Sequence, residues 1–213
     1  MEHETALALI LVVGFFAQQS MRSASVEMSR MAAQSVASAV AARIEGAIVS
    51  RRDLLALALA DGGAAAALGS GDRDAIRAVE VDLQNKLPEV IQVRLLPRDV
   101  SQPDESGPAP LGYAGLDMLR RAVASGQSVA EVHQIKSERP YLALALPVGD
   151  AGNNVGALFM AWDLRFLTAI VESSPEFPGR LQLTQGSGGS GYVLAKGPGD
   201  LEGSLNQGVV DVP

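Results

Sequence analysis

Between residues 141 and 164, bulky and small side chains alternate along two apolar runs, YLALALPVG and GALFMAWDL. The runs flank Gly149, Asp150, Ala151, Gly152, Asn153 and Asn154, a cluster rich in residues that tolerate positive φ or bond their own backbone. That pattern predicts a strand, a turn and a strand. Side chains in a strand alternate faces, so the register follows from pairing like with like. Setting Leu146 opposite Leu158 brings Leu144 to Met160 and Leu142 to Trp162 on one face. The other face then carries Tyr141 opposite Asp163, with Ala143, Ala145, Phe159 and Ala161 between them. The bulky face needs a core to cover it. The small face suits either a closely packed helix or a cavity, and the sequence leaves both open.

Upstream the periodicity changes. Residues 6–17 (ALALILVVGFFA) are apolar without interruption and follow an acidic start, Met1-Glu2-His3-Glu4. As a helix the run covers about 18 Å, short of the roughly 30 Å hydrocarbon core of a bilayer. It reads as a membrane anchor cut short at its N-terminus, a signal peptide or a buried helix end. The anchor is preferred, because Phe15-Phe16 pass without a break into a long helix. Residues 18–60 hold no proline and one glycine and are rich in helix formers. Apolar residues recur every seven positions at Val26, Ala33, Val40, Ala47 and Leu54, with Val36, Ile44 and Ile48 beside them. This stripe either packs on the chain's own sheet or also pairs with a second copy as a short coiled coil, giving a homodimer.

Asp61-Gly62-Gly63 is expected to break the long helix, and Ser70-Gly71-Asp72 to cap a second one running to Leu87. Its apolar residues Ile76, Val79 and Leu83 share a face. Residues 89–96 predict a strand with Ile91, Val93 and Leu95 on one side and Gln92 and Arg94 on the other, ended by Pro97. A polar loop with three prolines fills 98–110, a helix 111–124 and a second strand 129–135, with Glu131 and His133 on one face. After the hairpin come a short helix over 165–173 and strands over 181–185 and 192–196, joined by a Gly/Ser loop. Residues 197–213 read as a linker. Helices set against strands joined by short turns give an α+β architecture, a long N-terminal helix packed on a small antiparallel sheet.

Composition narrows the function. A net charge of −7, 4% aromatic residues and no basic run argue against nucleic acid as a partner. With no cysteine there are neither disulfides nor thiolate metal ligands. Gly186 to Gly191 fits GxGxxG, but a strand follows where the phosphate-binding motif needs a helix N-terminus, so a hairpin loop is the better reading. Ser190 lacks the second glycine of a GxSxG elbow, since Tyr192 stands there. Glu131 and His133 could offer two metal ligands, but the remaining histidine, His3, is at the chain's start, so no metal site is expected. Asp163 beside Arg165 is best explained by a local ion pair or turn bond. No nucleophile, base and orienting group assemble. The chain reads as a binding or regulatory module without a cofactor rather than an enzyme.

An apolar N-terminal segment, a long helix and a small sheet holding PVGDAGNNVGALFMAWDL resemble the Cache class of extracytoplasmic PAS-like sensor domains. The pattern is Pro147-Val148, a Gly/Asn turn, Gly156, an apolar strand and Asp163-Leu164, with the likeness covering about 54–196. Four segments are also similar, in order and spacing, to the membrane-anchored region ahead of some bacterial phosphomannomutase/phosphoglucomutase enzymes. They are Pro110-Leu111-Gly112-Tyr113, Leu116-Asp117-Met118-Leu119-Arg120-Arg121, Glu131-Val132-His133-Gln134 and Asp163-Leu164. That family's catalytic serine loop and magnesium loop do not occur here, so the resemblance implies a non-catalytic appendage. It divides the chain into an anchor (1–17), a long helix (18–60), a sensor domain (61–196) and a linker (197–213). It also implies an inner-membrane protein whose domain lies in the periplasm and binds small carboxylates or amines between the sheet and its covering loops. The candidate contacts are Arg94, Tyr113, Glu131, His133, Tyr141, Trp162 and Asp163, polar or aromatic residues near strands or the covering loop. The alternative is a structural module for membrane attachment or dimerisation, with no ligand.

Overall fold

The computed structural model describes residues 2–87, 89–150, 152–175, 181–185 and 192–198, with side chains from Val26 onward, Gln185 apart. The expected anchor at 6–17, the Gly/Ser loop at 186–191 and the tail from 199 lie outside the described side chains or residues. The elements in order are α1 (Glu2–Leu59), α2 (Gly63–Ser70), α3 (Arg73–Lys86), β1 (Val90–Pro97), α4 (Tyr113–Ser125), β2 (Val129–His133), β3 (Tyr141–Asp150), β4 (Asn153–Asp163), α5 (Arg165–Glu172), β5 (Gln182–Gln185) and β6 (Tyr192–Lys196). Four strands form one antiparallel sheet in the order β1-β4-β3-β2, and β5 pairs with β6 in a second.

The β3–β4 ladder has the expected register. Leu146 faces Leu158, Leu144 faces Met160, Leu142 faces Trp162 and Tyr141 faces Asp163. The turn uses Gly149 and Gly152 at φ 125° and 83°, values that a Cβ disfavours. Alternation then builds two cores on opposite faces. The bulky face joins Val93 and Leu95 of β1 and is covered by Val40, Ile44 and Leu55 of α1, Leu68 of α2, Leu83 of α3 and Leu167 and Val171 of α5. The small face, with Ala143, Ala145, Ala157, Phe159 and Ala161, receives Leu116, Met118, Leu119 and Ala122 of α4. Of the two uses left open for it, close helix packing takes most of the face. Gly156 of β4 lies so near β1 that a Cβ there would meet Leu96 O at 2.2 Å.

Four expectations need correction. Ile91 does not share a side with Val93 and Leu95; the register shifts between Val90 and Gln92, and the extra residue turns Ile91 into the core beneath α4. A separate helix, α2, follows the Asp61-Gly62-Gly63 break, because Ala64, Ala67 and Leu68 find a buried place. The second strand stops at His133, where Gln134 takes φ 58°. The seven-residue stripe on α1 does not stay on one face. An α-helix drifts about 20° per heptad, so Val40 is 4% exposed while Val26 and Leu54 are 47% and 52% exposed. The packed face is Val36, Val40, Ile44, Ile48 and Leu55.

Polar contacts hold α1 to α5. Arg43 Nη2 donates to Ser173 Oγ at 3.1 Å. Arg51 lies 3.7 Å above the Phe166 ring and donates to Glu89 Oε2 at 3.0 Å. On the outer edge of β1, Glu80 Oε1 accepts from Leu95 N at 2.7 Å, and partial burial raises the Glu80 carboxyl above its ordinary pKa. Among the described residues no single helix is long and apolar enough to cross a membrane.

Ile44→Ala is expected to lower the unfolding free energy by about 2–5 kcal/mol, whereas Leu54→Ala stays within about 0.5 kcal/mol of the parent in urea titrations. Gly156→Ala should cost about 1–3 kcal/mol or more by the same measurement, because the obstacle is backbone rather than a movable side chain.

Candidate functional site

The start of α4 is fixed before any cavity can form beside it. Leu111 and Asp104 exchange backbone hydrogen bonds of 2.8 and 3.0 Å, which closes the proline-containing loop on itself. Arg94, buried to 6% exposure, reaches into that loop from β1. Its Nη1 donates to Asp104 Oδ2 at 2.8 Å and its Nη2 to Ser106 O. Asp104 Oδ1 also accepts from Ser106 Oγ and N, and these bonds, ahead of the Arg94 charge, hold its carboxyl below the usual range. Gln92 Oε1 takes the Ala109 N–H at 2.9 Å. Finally the Tyr141 hydroxyl donates to Pro110 O at 2.6 Å, tying the helix entry to β3.

A cavity of about 450 Å³ opens at this end of the sheet. Gly112, Tyr113, Ala114 and Gly115 bound it at the start of α4, Tyr141 and His133 line it from the sheet, Lys136 lies on the segment after β2, and Tyr192 on β6 completes it. The first N–H groups of α4 have no intrahelical acceptor, and its N-cap, Gly112, supplies no side chain to them. His133 stacks on Tyr141 with ring centroids 5.7 Å apart, and Tyr141 meets Phe159 edge-on. The His133 side chain is 11% exposed, and its buried Nε2 has no hydrogen-bond partner. Glu131 Oε2 lies 3.6 Å from that nitrogen, beyond a hydrogen bond, and Glu131 Oε1 accepts from Arg121, whose Nε bonds Asp117 at 3.0 Å. Burial lowers the His133 pKa below its ordinary value; Glu131 opposes that shift and Arg121 adds to it. Burial likewise raises the Tyr141 phenol.

Of the seven residues singled out from the sequence, Tyr113, His133 and Tyr141 meet at this cavity. Glu131 does not line it; its Oε2 lies 3.6 Å from His133 Nε2. Arg94 does not reach the cavity; its charge is spent on the loop. Trp162, 2% exposed, sits on the opposite face in the core beneath α1, because it alternates with Ala161 and Asp163. Asp163 accepts from the Arg165 N–H at 2.8 Å and pairs with its guanidinium at 2.9 Å, the local turn and ion pair expected of it. Sequence reasoning passed over Lys136 and Tyr192. Both adjoin strand ends, but their nearness, with Lys136 Nζ 5.5 Å from the Tyr192 ring, is a property of the folded chain. Among the described residues no three carboxylate or imidazole groups converge as metal ligands.

No family model matches the sequence, and no curated protein matches it. The fold is nevertheless similar to that of a solved domain. The ligand-binding domain of the Campylobacter jejuni chemoreceptor Tlp3, in complex with 4-methylisoleucine, matches at 13% identity with a TM-score of 0.57, over 80% of this chain and 70% of that one. The ligand-binding domain of the Pseudomonas aeruginosa PAO1 amino acid chemoreceptor PctC, in complex with GABA, matches at 20% identity and TM-score 0.44, over 65% of this chain and 62% of that one. The long N-terminal helix on a mixed helix and antiparallel-sheet domain is thus a fold similar to that of the Tlp3 domain.

The depressed His133 pKa gives a sign to the acid response. The unfolded chain takes up a proton at the ordinary histidine value while the folded chain resists, so this contribution is present above that value and lost as pH falls through the folded one. Urea titrations from pH 8 to pH 5 are expected to show a shallower decline in stability for His133→Gln than for the parent chain.

Proposed function

We propose that this chain is a sensory ligand-binding domain on the outer side of a cytoplasmic membrane, with the cavity at the start of α4 as its receptor site. The observation that carries the reading is the cavity itself, lined by Tyr113, His133, Tyr141 and Tyr192 and by the first residues of α4. The Tlp3 likeness supports the choice of class, since that domain holds 4-methylisoleucine on the same architecture. Small molecules of roughly that size fit a volume of about 450 Å³. Occupancy would be passed on through α5 and its C-cap, where Phe166 and Ser173 touch Arg51 and Arg43 of α1. In this reading residues 6–17 anchor the protein in the inner membrane and the domain lies in the periplasm. Binding rather than catalysis is the role. Parentage in a phosphomannomutase/phosphoglucomutase rests on the four similar segments alone; the two solved structures named above are both chemoreceptor domains, and the proposed role does not depend on a mutase.

A second reading, a dimerisation module without a ligand, is favoured by the outward face of α1. Met28, Ala32, Ser35, Ala39, Ala42 and Gly46 follow one another at alternating steps of four and three, all exposed and uncharged. They lie opposite the face that Val40 and Ile44 bury, and a Cβ on Gly46 would meet nothing within 4 Å. That spacing suits a two-stranded seam.

Thermal unfolding against a panel of organic acids, amino acids and sugar phosphates separates the two. A ligand at about a hundred times its Kd should add about 2.7 kcal/mol to stability and raise Tm visibly. A flat response across the panel, together with a dimer in sedimentation equilibrium, would favour the structural module.

A further inference from the structure

Asp117, Arg121, Glu131 and His133 form a row from α4 to β2, the strand at one edge of the main sheet. Asp117 and Arg121 stand one turn apart on α4 and bond each other at 3.0 Å. Arg121 also donates to Glu131 Oε1, and the other oxygen of that carboxylate, Oε2, lies 3.6 Å from His133 Nε2. Charges alternate along the row as minus, plus and minus, and the last place belongs to an imidazole that burial keeps neutral at pH 8. Among the described residues the Arg121–Glu131 contact is the ion pair that joins α4 to β2.

A proton on His133 would find one answering group. Nε2 is sealed from solvent and bonds nothing, so water does not serve it. The ring is held by stacking on Tyr141, itself fixed by its hydroxyl on Pro110 O and by the edge of Phe159. The titratable groups around it are Glu131 on its own strand, Arg121 of α4, Tyr141 of β3 and, sharing the cavity wall with it, Tyr113, Lys136 and Tyr192. Of these only Glu131 carries a negative charge. A buried imidazolium without a partner is costly, so the carboxylate must close from 3.6 Å to hydrogen-bond length, about 2.8 Å. The movement falls on Glu131, whose side chain is 29% exposed against 11% for His133. Arg121 can release it cheaply, because Asp117 on the same helix still pairs with it and its side chain is 48% exposed. Burial and Arg121 oppose the proton while Glu131 favours it, which puts the exchange on the acid side of an ordinary histidine.

We propose that Glu131 is contested by two cations, Arg121 and a protonated His133, and that acid transfers it to His133 and frees α4 from the edge strand, so that the domain responds to protons. This input goes beyond the receptor reading above and does not require it, since no guest in the cavity takes part.

The test is an NMR titration of the full chain, whose two histidines, His3 and His133, are told apart with His133→Gln. His133 of the parent is expected to titrate on the acid side of the ordinary histidine value. Arg121→Gln, at an exposed side chain, should move that titration to higher pH, and Glu131→Gln should move it to lower pH. Adding Arg121→Gln to Glu131→Gln should then move it little, because the contested carboxylate is gone. Amide hydrogen exchange, corrected for its intrinsic pH dependence, should show residues 117–125 losing protection between pH 8 and pH 5 in the parent. His133→Gln should abolish that loss, and Arg121→Gln should show it already at pH 8. An Arg121→Gln shift of equal size with and without Glu131 would be plain repulsion between cations and would overturn the sharing. Protection of α4 that does not change with pH in the parent, or a loss that persists in His133→Gln, would overturn the proton response.

Discussion

The strict size alternation along β3 and β4 is the constraint on which this molecule depends. Both strands are central and covered on both faces, so each residue's parity decides which core it enters. Leu142, Leu144, Leu158, Met160 and Trp162 fill a wide space that needs four helices to close it. Ala143, Ala145, Ala157 and Ala161 leave so little bulk on the reverse that α4 seats directly on the sheet. A slip of one residue would exchange the two sets and leave neither helix layer a surface it fits. Gly156 enforces the same arrangement from the side, since only a residue without Cβ lets β1 come so close.

The cavity follows from where this alternation ends. At Tyr141 the small face changes from alanine to a large ring, and α4 begins above it rather than running past it. The hydroxyl of that ring is used up on Pro110 O, which leaves the ring's flank for His133 and the empty space beside both. Arg94 contributes from a distance. By tying Asp104 and Ser106 it makes a loop with three prolines into a rigid approach to the helix, so a buried charge that resembles a ligand contact is a structural one.

Much of this was legible in the sequence, for reasons that also explain the failures. The hairpin register could be read because a period of two leaves only one alignment that pairs Leu with Leu, Met and Trp. The same alternation places Trp162 on the bulky face, in the core and away from the cavity. Ile91 was misplaced because a bulge changes parity without marking itself in composition. The α2 segment is eight residues of mostly alanine and glycine, too short to be helical alone, and only its buried contacts make it so. The stripe on α1 was read with a period of seven where a straight helix repeats every 3.6 residues. Tyr113, His133 and Tyr141, chosen for their chemistry at strand and helix ends, line one cavity; Tyr192 is not legible in the sequence, because its place beside Lys136 depends on how the second sheet returns.

That return has a mechanical meaning. Tyr192 belongs to the β5–β6 pair, which among the described residues shares no backbone ladder with the main sheet and follows α5 in the chain. The hollow is therefore a seam, with one lip on each body. In the proposed receptor role a guest touching Tyr113 and Tyr192 together would act as a clasp between the two sheets, and the short helix that links them also bears on the long rod.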